Sequence, residues 1–135
     1  LETTLLDEMD ERLTFHLDRL REIGAQIEVD DFGSGHASVM AMYNIRPDCL
    51  KIDRRIVSAC ADAQVSSDEV VILKAVVEIG KALKTEIIAE GVETAAMADH
   101  LTSLGVDTLQ GYHFARPLPF EELVDWIAYQ AVRTA

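Results

Sequence analysis

Cysteine is almost missing from this chain: Cys49 and Cys60 are the only two in 135 residues, and their spacing fits no metal-ligand motif. That argues against a disulfide framework and points to reduced thiols, used as core filler, in a cytoplasmic compartment. Basic residues are scarce as well. Twelve Lys and Arg stand against 24 Asp and Glu, a formal net charge of −12. This is the wrong sign for a nucleic-acid polymer or an anionic membrane as partner, and the right sign for a cation. No apolar run approaches the ~18 residues of a membrane-spanning helix. The opening LETTLLDEMD has neither the basic start nor the apolar middle of a secretory signal, so any membrane segment is expected outside this chain. Low-complexity and linker-like stretches are lacking too. With 49% apolar residues, the chain has material for one sizeable core and reads as one domain or a piece of one.

What is present alternates. Met9, Leu13, Leu17, Leu20 and Ile23 recur at helical spacing between Asp7 and Ile23, with Gly24 where a C-terminal cap belongs. A strand is predicted over 25–30, a helix over 36–45 ending before Pro47, and a buried strand over 48–53. RRIVSACA (54–61) reads as a helix, AQVSSD (63–68) as a polar connection, and 69–83 as a long helix that tolerates Gly80 near its end. The strand EIIAE (86–90), a helix over 93–105 capped by Gly105, the strand VDTLQ (106–110) and a helix over 119–132 opened by Pro119 complete the chain. Four strand-then-helix units predict an α/β fold with a parallel sheet, since parallel neighbours need crossover connections. GSGHAS lacks the third glycine of a dinucleotide-binding turn, so a (β/α) barrel is the better expectation. Four units make about the second half of a TIM-like barrel, which would leave open sheet edges and an exposed apolar interior.

The stretch IEVDDFGSGHAS sets Asp30 and Asp31 side by side at the end of an apolar run. Such a pair is unfavourable unless water, hydrogen bonds or a cation offsets the repulsion. One reading is a solvated turn or helix cap. Another comes from taking all the strand ends together: Asp30 and Asp31, then Lys51 and Asp53, then Glu90 and Glu93, then Gln110. In a parallel barrel these ends share one face. Carboxylates from three successive ends, with a lysine and an amide among them, suit hard divalent cations such as Mg²⁺ or Mn²⁺; zinc would prefer histidine or thiolate. Two such ions bridged by a carboxylate activate water and stabilise the oxygens of an in-line phosphoryl displacement, so hydrolysis of a phosphate ester is the favoured chemistry. His16, His100 and His113 are read as surface or boundary residues, and Met40, Met42 and Tyr43 as helix packing. Trp126 and Tyr129 are read as core or interface. His36, beside the acids, is a weaker ligand candidate.

DDFGSGHAS, LKIDR, AEGVET and LQGYHFARPLP, in that order, resemble the signatures of EAL-type phosphodiesterases, which hydrolyse cyclic di-GMP to linear pGpG. The resemblance spans nearly the whole chain, and four ordered motifs make it specific. It implies a TIM-like barrel with two metal ions, Mg²⁺ or Mn²⁺. Carried over residue by residue, it makes Asp30 and Asp31 metal ligands and has Lys51 contact the water nucleophile and phosphate. Glu90 becomes base or ligand, and Gln110 completes the metal and water network. It assigns Asp53 and Glu93 to supporting the site and the loop after Asp31, and Arg116 and Pro117 to the guanine end of the ligand. GSGHAS departs from the usual G-T-G-Y-S-S, with His36 in place of an aromatic, which touches loop behaviour and dimer coupling more than the metal ligands.

The Glu-Ala-Leu signature that names the family, and its metal-binding asparagine, belong to strands that would precede Leu1. Glu2 in LETTLL matches a loop-anchoring glutamate. The expectation is therefore the C-terminal portion of one domain, following a sensory or cyclase domain in some parents, self-associating as a homodimer or otherwise, and inactive alone. A rival is a catalytically inactive member acting as a cyclic di-GMP receptor; the retained acids favour the enzyme. A purely structural half-barrel would bind no metal.

Overall fold

The computed structural model describes residues 1, 11–33, 38–58 and 68–133. Their elements alternate as α1 (Glu11–Glu22), β1 (Glu28–Phe32), α2 (Val39–Ile45), β2 (Cys49–Ile52), α3 (Arg54–Ser58), α4 (Asp68–Leu83), β3 (Glu86–Glu90), α5 (Ala95–Leu104), β4 (Thr108–Gln110) and α6 (Phe120–Arg133). The four strands form one parallel sheet in the order β1-β2-β3-β4. Neighbours in space are thus neighbours in sequence, as in a (β/α) barrel; a doubly wound sheet reverses its order at a switch point. The α/β expectation holds, with element ends shifted by a few residues. The expected first turn of α1 near Met9, the start of α2 at His36, the end of α3 at Ala61, and Cys60 and Glu2 lie outside the described residues.

Caps fix several boundaries. Ser38 takes the N-cap of α2, its hydroxyl accepting from Ala41 N at 3.0 Å, and Thr94 does the same for α5 from Met97 N. Each satisfies an N–H that has no intrahelical partner. At the amino end of the sheet, two aspartates repeat one device. Asp48, just before β2, accepts from Ile27 N at 2.7 Å, and Asp107, just before β4, accepts from Ile87 N at 2.9 Å. These acids tie the start of one strand to the next and stand apart from the acids at the carboxyl ends.

The core lies between sheet and helices. Val29, Leu50, Ile52, Ile87 and Ala89 are buried on the strands and pack with Leu73, Val76 and Val77 of α4 and with Met97 and Leu101 of α5. Gly80 lets α4 approach β3: a Cβ there would lie 2.8 Å from Ile87 Cγ1. The opposite face of the sheet corrects an expectation. Side chains alternate along a strand, and the set facing away from the helices is Glu28, Asp30, Cys49, Lys51, Glu86, Ile88, Glu90, Thr108 and Gln110. The uncovered interior is polar, not apolar. Exposed apolar surface lies instead on the helices, with Phe120, Leu123, Val124, Ile127 and Tyr129 on α6 and Phe15 and Ile23 near α1. Tyr129 is exposed and not core, and of Met40, Met42 and Tyr43 only Met42 is buried. Among the described residues no helix is long and apolar enough to cross a membrane.

Candidate functional site

The site begins with an irregularity in β1. The strand was expected to stop at Asp30, but it runs on through Asp31 to Phe32 because Phe32 is buried and pairs with Ile52. The register passes from Val29↔Leu50 to Phe32↔Ile52. Asp30 and Asp31 therefore stand opposite the single residue Lys51, a β-bulge, with Asp31 in the left-handed region at φ 54°. Aspartate tolerates that conformation better than most residues. In a regular strand two adjacent side chains point to opposite faces; the bulge turns both acids toward one place.

There they meet the neighbouring strands. One oxygen from each of Asp30, Asp31 and Glu90 lies within 4.8 Å of the others. Lys51 Nζ lies 3.3 Å from Asp30 Oδ1 and pairs directly with Glu90 Oε1. Asp30 Oδ1 also accepts from Asp31 N at 3.0 Å. The hydrogen bond to Glu90, reinforced by Asp30, holds the Lys51 ammonium above its ordinary pKa against the opposing effect of desolvation. Two carboxylates pair with the ammonium and Asp31 stands beside them, and the excess negative charge with hard oxygen donors fits a divalent cation.

Asp53 behaves differently from the cluster acids. It is buried, and its Oδ1 accepts from Arg55 N at 2.6 Å while the Arg55 guanidinium bonds both carboxylate oxygens. Arg55 holds the Asp53 carboxyl below its usual value of 3.8. Asp53 thus caps α3 and anchors the turn that follows Lys51.

Beside the cluster opens a cavity of about 180 Å³ lined by Arg54, Glu90, Gly91, Glu93, Gln110, Gly111 and Tyr112. Glu90 belongs to both cluster and cavity, and Gln110 is its register partner across the β3–β4 pair. Arg116 stacks on Tyr112, its guanidinium carbon 4.5 Å from the ring centroid, so it reaches the cavity through Tyr112; Pro117 is exposed beside it. Of the expected site residues, Asp30, Asp31, Lys51 and Glu90 come together, while Glu93 and Gln110 line the adjoining cavity. Glu2 and His36 lie outside the described residues. Arg54, Gly91, Gly111 and Tyr112 were missed. Gly91 directly follows the carboxyl end of β3, and Gly111 that of β4, while Arg54 lies two residues past β2; those positions were the signal that could have found them.

Residues 1–117 match the family model of the EAL domain. The chain is 38% identical over 127 residues to the bifunctional diguanylate cyclase/cyclic di-GMP phosphodiesterase MucR of Pseudomonas aeruginosa, covering 94% of this chain and 18% of MucR. Among solved structures, a MucR phosphodiesterase in complex with c-di-GMP superposes with a TM-score of 0.82 at 35% identity, covering 91% of this chain and 49% of that one. A Klebsiella pneumoniae BlrP1 manganese/cyclic di-GMP complex superposes with a TM-score of 0.74 at 30% identity, covering 86% and 29%. The chain thus spans about a fifth of the curated relative and half of the solved MucR chain. The sequential four-stranded sheet is a portion of the TIM-like barrel of these proteins, and the chain belongs to the EAL domain family.

Proposed function

We propose that this chain supplies the C-terminal portion of a single EAL-type domain whose N-terminal half lies outside it, and that the intact domain hydrolyses cyclic di-GMP to linear pGpG. The observation that carries this reading is the convergence of Asp30, Asp31 and Glu90 beside Lys51. The cyclic di-GMP and manganese of the related complexes support it.

Asp30, Asp31 and Glu90 would hold divalent ions, Mg²⁺ or Mn²⁺, two of them in the intact domain. When bound, the ions supply a water of lowered pKa and positive charge for the phosphoryl oxygens. Lys51, kept protonated by its two carboxylate neighbours, orients the water and stabilises charge that develops on the phosphate. Glu90 serves as proton acceptor or ligand, and Gln110 completes the polar network with its amide. Asp53 and Glu93 support the frame, Glu2 anchors the loop after Asp31, and Arg116 and Pro117 border the guanine end of the ligand. We further infer self-association of the isolated chain, and a sensory or cyclase domain preceding the EAL domain in the parent protein.

The test is release of pGpG from cyclic di-GMP by the parent protein with Mg²⁺ or Mn²⁺, and its loss on chelation. Tight binding without turnover would replace the enzyme by a receptor. Neither binding nor turnover would overturn the reading.

A further inference from the structure

We propose that Arg54 contacts the substrate, and that its guanidinium holds the phosphodiester of the cyclic dinucleotide that is not being cleaved. This rests on the phosphodiesterase reading above. Arg54 is the first residue of α3, separated from the Lys51-Ile52 end of β2 only by Asp53, and it lines the cavity beside the acidic cluster. Two carboxylates, Glu90 and Glu93, share that wall, and Arg54 is the only cation among the described residues that line it. Lys51 offsets Glu90 from the side of the cluster, so within the cavity Arg54 is the counter-charge that faces Glu93 and any anion that enters.

The next residue shows what an arginine here does when it has a structural task. Arg55 gives its guanidinium to Asp53. Arg54 has no ion pair or side-chain hydrogen bond among the described residues, and its head group is free to meet a ligand. Its stem, by contrast, is fixed. Gly91 runs so close that a Cβ on it would lie 2.6 Å from Arg54 Cβ, and Gly91 holds φ at 72°. The glycine turn after β3 is thus built against this arginine, which limits the directions the guanidinium can take. A planar guanidinium matches a phosphodiester's two free oxygens, which a lysine would meet only as a point charge.

Placement selects which phosphodiester. Asp30, Asp31 and Lys51 do not line the cavity; Glu90 alone joins it to the cluster. A group bound by Arg54 therefore sits next to the reacting phosphate and not on it. A cyclic dinucleotide carries two phosphodiesters, so when one lies at the cluster the other needs a separate counter-charge.

The parent protein carrying Arg54→Ala or Arg54→Lys should be compared with wild type on cyclic di-GMP and on bis(p-nitrophenyl) phosphate, which has a single phosphodiester. Arg54→Ala is expected to raise KM for cyclic di-GMP about tenfold or more, as for one lost charge-assisted hydrogen bond. kcat should stay within about twofold, and turnover of the single diester should not change. Arg54→Lys should recover part of the KM, and the difference between Arg54→Ala and wild type should shrink as salt rises. An unchanged KM, or an equal loss on both substrates, would overturn the proposal while leaving the phosphodiesterase reading intact. A wild-type protein inert toward cyclic di-GMP would overturn that reading first, and this one with it.

Discussion

Lys51 Nζ lies 3.3 Å from Asp30 Oδ1 across the β1–β2 pair, at the point where two residues of β1 oppose one of β2. The bulge brings Asp30 to a lysine already paired with Glu90 on the next strand, and sets Asp31 beside the two acids. Changing Asp31 to Asn tests the charge alone, because Asn also tolerates the left-handed backbone that Asp31 adopts. In the intact domain, Asp30→Asn and Asp31→Asn should each lower cyclic di-GMP hydrolysis by about 10² or more and weaken Mn²⁺ binding measured by calorimetry. Undiminished turnover in either variant would remove the metal role.

Lys51 makes the opposite prediction for metal. Removing it leaves Asp30, Asp31 and Glu90 without their neutralising ammonium, so Lys51→Ala should keep or strengthen Mn²⁺ affinity while turnover falls by about 10². Normal turnover with weaker substrate binding would shift Lys51 from chemistry to binding.

The strand ends were legible because strand-then-helix alternation predicts a parallel sheet with its carboxyl ends on one face, which makes Asp30, Lys51 and Glu90 neighbours from the sequence alone. The bulge was not legible. Nothing local in IEVDDF separates a strand ending at Asp30 from one that continues to Phe32; burial of Phe32 against the far side of the sheet decides it. The polar interior was misread for a related reason. DCLKID reads as a buried strand, which does not separate its two faces: the inward set is Cys49 and Lys51 and the helix-side set is Leu50 and Ile52. Asp53 stands at a strand end like the clustered acids, and only its bonds to Arg55 mark it as a cap.

Gly91 holds φ at 72°, and a Cβ added to it would lie 2.6 Å from Arg54 Cβ. Gly91→Ala forces a Cβ into that contact on an unfavourable backbone, and should destabilise the domain by about 1–3 kcal/mol in urea unfolding. Stability equal to wild type would show that α3 yields without cost.

Asp53 sets a pH dependence. Arg55 lowers its folded pKa below 3.8, so the stabilisation is fully present above that value and fades as pH falls through the lower folded value. Because the Arg55 side chain is 70% exposed, the ion pair itself adds little, and the cap dominates. Asp53→Ala should cost about 1–2 kcal/mol at pH 7 and less as pH falls through the lowered folded pKa, where wild type also loses the charged cap. A gap between the two that widens toward low pH would contradict the assignment.

Burial pushes the Cys49 thiol up to about 11, with Glu28 and Glu86 adding to the effect. In a Cys60→Ser background the folded protein should resist iodoacetamide at pH 8 and react only in denaturant, because the thiolate is the nucleophile. Rapid labelling of folded protein would mean that β2 opens.

Self-association of the isolated chain should run through α6. Phe120, Leu123, Val124 and Ile127 follow i, i+3, i+4, i+7 spacing and are all exposed, from 39% at Leu123 to 74% at Phe120, so one stripe of this helix faces water. The uncovered sheet face is a poorer candidate, since pairing two copies there would set Glu28, Glu86, Asp30 and Glu90 against one another. Burying apolar surface contributes about 25 cal/mol per Å², and in a solution of this chain alone the α6 stripe of a second copy is the available cover. Light scattering should report a mass above that of one chain. Leu123→Gln with Ile127→Gln should return it to monomer with the circular-dichroism spectrum kept, since neither side chain is buried. A monomer in the unmodified chain would overturn the association, and a double variant that stays associated would place it on another surface.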